Sequence, residues 1–195
     1  MSTRFTSAVK SHFAAGAVGL LLGIGIVATT PSSADAYVPS GCKFSTGSID
    51  PTSWRYYSVG SVYVTASNHG FAAWNSTATD GYFEQQSLSF DPEVSVTDDP
   101  YNNNLFAWWT YSYSSGLYSG NEGTFVWNTT NSAGRSVDQK KRIATHELGH
   151  AYGLDHVGSG AAAGCRIMRT DVGTMTDCTI TYPAADDIAG ANTVN

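Results

Sequence analysis

The sequence is short of positive charge. Its 195 residues include 10 Lys and Arg against 16 Asp and Glu, and the formal net charge at pH 7 is −6. Nucleic acids and anionic membranes are bound by basic surfaces, so this balance argues against either one as a partner. No internal repeat is visible and no linker divides residues 37–195, whose length is that of a single domain.

The N-terminal apolar run is too short to span a membrane. It extends from Phe13 to Ala28, which is less than the roughly 20 residues that a spanning helix needs. Basic residues precede it, and Ala34-Asp35-Ala36 follows with the spacing of an A-x-A cleavage site. Residues 1–36 are therefore expected to be a secretory signal peptide, which leaves 37–195 as the mature, secreted chain. The alternative is a retained membrane anchor.

Histidine is also scarce, and its distribution is uneven. Three of the five histidines lie in the eleven residues His146–His156, which read HELGHAYGLDH. His146 and His150 are four residues apart, so on a helix they share one face and their imidazoles converge on one cation. On an unbroken helix His156 would face away from the other two. Gly153 supplies the break because glycine adopts positive φ at little cost, and the chain then returns His156 to the same ion.

This arrangement predicts a catalytic zinc site. Three neutral imidazoles, from His146, His150 and His156, leave the fourth position of a tetrahedral zinc open to water, unlike a closed structural site. Glu147 is placed to take a proton from that water as a general base and to pass it to a leaving amine. The stretch matches the extended zinc-peptidase pattern H-E-x-x-H-x-x-G-x-x-H. A short HExxH can arise by chance on an amphipathic helix, but chance explains the long form poorly.

Over about residues 136–195 the chain resembles the metzincins, and among them the matrixins. His146–His156 matches the family signature at every fixed position, and Asp186–Gly190 resembles the start of the last matrixin helix. The resemblance implies an α+β, zincin-like single domain with a twisted mixed sheet of about five strands, a long active-site helix, a methionine turn and a C-terminal helix. Val157 and Arg169-Thr170 depart from the usual matrixin residues, as in a small bacterial-type secreted branch.

The resemblance also implies a methionine turn, an apolar floor beneath the metal. Met168 is the candidate, Met175 is the weaker alternative, and a plain core methionine is the alternative to both. Cys165 and Cys178 close a short loop around Met168 and are predicted to form a disulfide, which suits an exported protein. Cys42 is then a free thiol, unless it is the true partner of one of the other two.

Hydrophobic patterning predicts the elements that precede the zinc motif. Strands are expected at Arg55–Val59, Tyr82–Phe90, Glu93–Thr97, Leu105–Tyr113 and Gly123–Thr129, with a helix at Val62–Asn75. A further helix is expected to begin near Val137, capped by Ser136 or Asp138. On that helix, the basic residues Lys140–Arg142 are expected to form one solvated face.

Two features of this half bear on ligands. In matrixins an edge strand pairs with the extended substrate, and Leu105–Tyr113 is the candidate here. Its aromatic side chains either line substrate subsites or pack in the core. Asp98-Asp99 and Asn102–Asn104 carry oxygens of the kind that Ca²⁺ binds, but a solvated turn explains them better, so a calcium site is without support.

The sequence as a whole predicts a secreted, monomeric zinc metalloendopeptidase. Its partners are expected to be protein or peptide substrates in extended conformation, with neither nucleic acid nor, after signal cleavage, a membrane. The alternative is a non-catalytic secreted protein of the same fold that binds zinc and a partner. The intact Glu147 argues against that alternative, because a protein that only holds zinc has no use for a base there.

Overall fold

The computed structural model describes residues 38–44, 51–86 and 91–194. Strands and helices alternate along these residues. In chain order they are β1 (Val38–Pro39), β2 (Thr52–Tyr57), α1 (Ser61–Asn75), β3 (Phe83–Gln85), β4 (Val94–Asp99), β5 (Ala107–Ser114), β6 (Leu117–Asn128), α2 (Thr129–Ser132), α3 (Val137–Ala151), β7 (Leu154–Asp155) and α4 (Ala185–Val194).

Five of the strands form one mixed sheet in the order β3-β2-β4-β6-β5. Its first four strands are parallel, and β5 is antiparallel to β6. Ser115 and Gly116 join β5 to β6 with φ values of 53° and 77°, and two successive residues of positive φ are typical of the turns that close short hairpins. Because β5 has a neighbour on one side only, it forms an edge of the described sheet.

The core lies between this sheet and two helices. Fully buried side chains occupy alternate positions of two strands, namely Val94 and Val96 on β4 and Phe125 and Trp127 on β6. Helix α1 packs against α3 at Gly70, where an added Cβ would lie 2.9 Å from the backbone carbonyl carbon of Ala144. This close contact holds α3, which carries the zinc motif, against the rest of the domain.

The expected fold class is confirmed. The chain forms an α+β domain with a five-stranded mixed sheet, a long helix that carries His146 and His150, and a C-terminal helix, as expected. The helix expected at Val62–Asn75 is α1. For each expected strand there is an observed strand within a few residues of its position. Strand β6 is longer than expected because it begins at Leu117. Part of the expected strand Tyr82–Phe90, namely residues 87–90, falls outside the described residues.

The solvated basic face expected at Lys140–Arg142 is wrong for two of its three residues. Lys140 and Arg142 are 4% and 7% exposed. The Lys140 ammonium donates to the carbonyls of Ala133 and Arg135, and one Arg142 nitrogen, Nη1, donates to the carbonyls of Met175 and Cys178, both at 2.9 Å. Backbone carbonyls just before α3 and in the segment after His156 therefore compensate the burial of these cations.

The N-terminal prediction falls outside the described residues, since the segment expected to be a signal peptide is residues 1–36. Among the residues that the structure does describe, no helix combines the length and apolar character needed to cross a membrane.

Candidate metal centre

Helix α3 begins at a capping box and carries two of the three histidines. The hydroxyl of Ser136 accepts a hydrogen bond from the backbone N–H of Gln139, whose side chain in turn bonds the Ser136 backbone, so Ser136 rather than Asp138 is the cap. Both His146 and His150 lie in the last two turns of α3. A backbone carbonyl contacts the ring of each of these histidines and fixes the orientation of its imidazole.

The chain reverses at Gly153, as the motif predicts. Gly153 has φ +82°, and an added Cβ would lie 2.5 Å from the carbonyl oxygen of Cys42 and 2.6 Å from Val194 Cγ1. Strand β7 follows at once and pairs with β1, which places His156 opposite α3. Glycine is therefore required at position 153 both for its backbone conformation and for the close approach of the N-terminal segment.

The three histidine rings converge on one point. Their candidate ligand nitrogens all lie within 4.8 Å of one another, and the Nε2 atoms of His146 and His156 are 3.1 Å apart. In the part of the chain that is described, this is the one group of three or more His, Cys, Asp or Glu with metal-binding geometry. Tetrahedral zinc with bonds of 2.0–2.1 Å places two ligand nitrogens about 3.3 Å apart, which is close to the separation of the His146 and His156 Nε2 atoms.

The hydrogen bonds of two rings also fit a metal. Nδ1 of His146 lies 2.8 Å from the carbonyl oxygen of Ile167, and Nδ1 of His150 lies 2.7 Å from that of Leu154. A carbonyl oxygen only accepts, so in both neutral rings Nδ1 carries the proton and Nε2 keeps its lone pair for a cation. Burial, with its histidine neighbours, lowers the pKa of His146 well below its usual value, and burial lowers the pKa of His150 to about 4. Both rings are therefore neutral at pH 7, as ligands must be.

Glu147 lies in the same cleft but is directed towards β5. The residue is 7% exposed. Burial raises the pKa of Glu147 to about 8, and a hydrogen bond from the backbone of Trp109 on β5 acts in the opposite direction. Burial therefore makes the ionised carboxylate of Glu147 a stronger base than a solvated glutamate.

Met168 lies beneath α3 at the level of the histidines. It is fully buried, and a Cβ added to Gly149 would lie 2.2 Å from its sulfur. The thioether therefore packs directly on the helix turn between His146 and His150, where an apolar floor is expected. Met175 is also buried, but it contributes its backbone carbonyl to Arg142.

The wall segment, residues 156–184 between β7 and α4, bounds the cleft opposite β5. The buried Arg169 bonds several of its residues. Arg169 is 1% exposed, and its Nε and Nη2 atoms donate to both carboxylate oxygens of Asp171, at 2.8 and 2.7 Å. Its Nη1 atom donates to Asp177 at 3.0 Å. Asp187, also fully buried, accepts hydrogen bonds from the backbone of Ile167 and Ala184. The sequence did not reveal the role of Arg169, because an isolated arginine looks the same whether it is solvated or buried.

The cysteines are placed as predicted. Cys165 and Cys178 form a disulfide that closes a loop around Met168 and residues 170–174. Cys42 is a buried free thiol. Two of the possible calcium ligands accept hydrogen bonds from the backbone. A carboxylate oxygen of Asp98 accepts from the N–H of Gly60, and the amide oxygen of Asn103 accepts from the N–H of Leu105, both at 2.9 Å.

Two cavities open beside the histidines. The larger has a volume of about 320 Å³ and is bounded by the start of β5, by α3 and by the wall segment. Its lining comprises residues 104–109, Ile143, His146, Glu147, His150, His156 and residues 170–174. The smaller, of about 240 Å³, is lined by Ser40, Trp109, Tyr111, His150 and Asp155. Of the aromatic residues of β5, Trp108 and Trp109 therefore line the larger cavity, and Trp109 is also buried in the core.

Comparisons with known proteins add little to this geometry. No family model and no curated protein matches the sequence. Among solved structures, the chain is similar to two described as "Structure of myroilysin" and "Crystal structure of myroilysin", at 19% identity and TM-scores of 0.42 and 0.39. The alignments cover 58% and 68% of this chain and 52% of each matched chain, so the chain spans about half the length of these structures. A likeness at this level does not define a function.

Proposed function

We propose that this chain is a secreted zinc-dependent endopeptidase of matrixin-like type. The observation that carries the proposal is the convergence of three imidazoles, two of them with Nε2 left free by Nδ1 hydrogen bonds, beside a buried carboxyl group in an open cleft. His146, His150 and His156 would hold one Zn²⁺. A zinc ion held there supplies a Lewis acid, which favours deprotonation of water and polarises a carbonyl group.

The residues of the chain supply the remaining chemistry. Glu147 accepts a proton from the attacking water and transfers it to the leaving amine, so that one carboxyl group acts first as base and then as acid. The carbonyls of Ile167 and Leu154 hold the rings of His146 and His150 in place throughout. The backbone N–H of Trp109 keeps the Glu147 carboxyl group near the reacting atoms.

The substrate is an extended segment of protein or peptide that pairs with β5. This strand is at the edge of the described sheet, and the larger cavity follows its first residues. Unpaired N–H and C=O groups on such an edge bind an extended chain by main-chain hydrogen bonds, and the cavity receives one of its side chains. The larger cavity is predominantly apolar, which favours an apolar side chain there.

Secretion and the domain limits belong to the same proposal. The disulfide between Cys165 and Cys178 suits an oxidising compartment. Residues 37–195 would then be the mature peptidase domain, released from a signal peptide at 1–36 and active as a monomer.

The decisive experiment compares wild type with Glu147→Gln on an unfolded protein such as casein. Wild type should cleave it, a chelator should stop cleavage, and added Zn²⁺ should restore it. Glu147→Gln should lower kcat by about 10²- to 10⁴-fold because the proton acceptor is lost, while the protein still binds one zinc per chain. The non-catalytic alternative predicts no cleavage by the wild-type, zinc-loaded protein. Cleavage by Glu147→Gln at the wild-type rate would contradict the assigned base.

A further inference from the structure

The two cavities are adjacent along β5. The larger is lined by residues 104–109 and the smaller by Trp109 and Tyr111, and His150 borders both. They form a larger and a smaller end. An extended chain paired with β5 would pass the histidines and direct side chains towards both ends.

The ends differ in how their carboxyl groups are held. At the larger end the carboxylate of Asp171 is paired with Arg169, whose guanidinium engages both of its oxygens, and the other carboxyl group, that of Glu147, is buried and bonded by the backbone of Trp109. At the smaller end Asp155 is the one lining residue with a formal charge. Its ion-pair partner in the described structure is the imidazole of His156, 3.6 Å away, and its side chain is 54% exposed. No lysine or arginine among the described residues lies within ion-pair distance of Asp155.

The other walls of the smaller cavity suit the same kind of ligand. The indole of Trp109 and the phenol of Tyr111 flank the space in front of Asp155. Burial raises the pKa of Tyr111, and the neighbouring Cys42 and Asp155 add to the effect. Aromatic faces accommodate the methylene stem of a lysine or arginine and attract its cation, and a carboxylate pairs with its head.

We propose that the smaller cavity is a subsite for a cationic substrate side chain, lysine or arginine, and that Asp155 selects it. The subsite lies across the scissile bond from the apolar cavity. This inference rests on the proposed peptidase function, since it defines which substrates that function takes. The enzyme should therefore prefer segments with an apolar residue on one side of the cleaved bond and a basic residue on the other.

Binding measurements test the subsite without requiring cleavage. Fluorescent peptides of one sequence are made with Lys, Gln or Glu at each position on either side of an apolar residue. Their Kd values are measured by anisotropy on zinc-loaded Glu147→Gln protein at low salt. At one position the Lys peptide should bind about tenfold more tightly than the Glu peptide, and the difference should shrink as salt increases.

Two substitutions assign the preference to Asp155. Asp155→Asn keeps an oxygen for the backbone N–H of His156, which now bonds the carboxylate at 2.7 Å, and it should abolish the preference. Asp155→Lys should invert it in favour of the Glu peptide, an outcome that loss of structure cannot produce. Asp138→Asn removes the same charge at the exposed start of α3 and should leave the preference intact. The zinc content of every variant is measured alongside.

The outcomes separate the two proposals. Equal Kd values for Lys and Glu peptides on the Glu147→Gln protein, no binding of any peptide, or a preference that Asp155→Asn leaves unchanged would each overturn the subsite. A Lys preference that depends on Asp155, in a protein whose wild type cleaves nothing, would uphold the subsite and reject the peptidase. In an active enzyme the same preference should appear in kcat/KM for cleavage of the corresponding peptides.

Discussion

At the scale of single residues, the wall of the cleft depends on Arg169. Its guanidinium is almost completely buried, and it joins two carboxylates and the carbonyl of Gly164. Asp171 in turn accepts a hydrogen bond from the backbone N–H of Gly160. A buried cation is tolerated when carboxylates and carbonyls satisfy its donors, and the network then specifies one conformation for a segment that has little regular structure of its own.

This network predicts how stability depends on acid. The hydrogen bonds from Arg169 lower the pKa of Asp171 to about 2, from an ordinary value of 3.8. Between about pH 4 and pH 2 the unfolded chain therefore binds more protons at Asp171 than the folded chain does. The contribution of Asp171 to stability should be complete above about pH 4 and should disappear as the pH falls towards 2. Urea unfolding of the metal-free protein at a series of pH values measures it.

Asp171→Asn is the matching variant for this measurement. It should be less stable than wild type at pH 5, and the difference in the free energy of unfolding should narrow steadily as the pH falls from 4 to 2. A difference that stays constant over this range would show that Asp171 titrates normally in the folded protein. Metal-free protein is needed because protonation of the histidines would otherwise release zinc within the same experiment.

The residues of the metal centre were largely predictable from the sequence, whereas those of the wall were not. The convergence of His146, His150 and His156 follows from helix geometry and a single glycine, so it can be predicted from eleven residues of sequence. The burial of Arg142 and Arg169 depends on carbonyls and carboxylates that only the folded chain brings to them. Charge alone suggested a solvated face at Lys140–Arg142, and that expectation failed for this reason.

At the scale of elements, the contact between α1 and α3 determines where the zinc motif lies. The two helices approach closely at Gly70, whose missing side chain makes room for the backbone of Ala144. The indole nitrogen of Trp74 on α1 also donates to the carbonyl of Thr145, at 2.8 Å, one residue before His146. Packing and this hydrogen bond therefore fix the position of α3 relative to α1.

Gly70→Ala should accordingly destabilise the domain. A methyl group there meets backbone atoms at 2.9 to 3.1 Å, and helices have to separate to admit it. Overpacking of this kind costs about 1–3 kcal/mol, which exceeds the gain of about 1 kcal/mol in helix propensity. Gly134→Ala is the control, since nothing lies within 4 Å of its added Cβ, and it should change the free energy of unfolding by about 0.5 kcal/mol at most. Chemical denaturation of both variants measures the effect, and equal stability of the two would refute the close contact.

The individual strands and helices were more predictable from the sequence than the pairing between them. Alternating apolar residues indicated the strands, and the helices α1 and α3 were found near their observed limits, because these signals are local. The short strands β1 and β7 were missed. Two residues each are too few for any periodicity, and they form only because Gly153 returns the chain to the N-terminal segment.

At the scale of the whole molecule, the three histidines belong to two different parts of the chain. His146 and His150 belong to the helix layer, whereas His156 begins the irregular wall. Zinc should stabilise the entire domain, because an ion that binds only the folded state adds RT ln(1 + [Zn]/Kd) to the free energy of unfolding. At a free concentration a thousandfold above Kd this amounts to about 4 kcal/mol, or of the order of 10 °C in Tm.

Differential scanning calorimetry with and without zinc measures this gain, and His156→Ala is the informative variant. The His156 side chain is 42% exposed, so its removal leaves no large cavity in the core. The variant should unfold near the Tm of metal-free wild type and should lose most of the stabilisation by zinc. A wild-type Tm that does not respond to zinc would contradict the metal centre, as would an equal response of His156→Ala.

The order of the strands could not be read from the sequence. Predicting five strands and a zinc helix defines the parts of the domain, but parallel pairing of β2, β4 and β6 depends on contacts between residues far apart in the chain. The continuity of the cleft from the wall to Ser40 is likewise a property of the folded molecule. Local patterns therefore define the chemistry of the site more fully than its shape.

The wall after His156 also bears on how such a protein diversifies. Between β7 and α4 the backbone has only one short 3-10 helix, Ala161–Ala163, and it is held by a disulfide and buried charges instead of a hydrogen-bonded ladder. Residues 170–174 line the cleft but contribute no candidate metal ligand. Under the proposed function, substitutions and insertions there would alter the fit of a substrate, while the positions of the histidines on α3 and just after β7 are inherited unchanged. Substrate choice and the chemistry of the site would then evolve at different rates within one small domain.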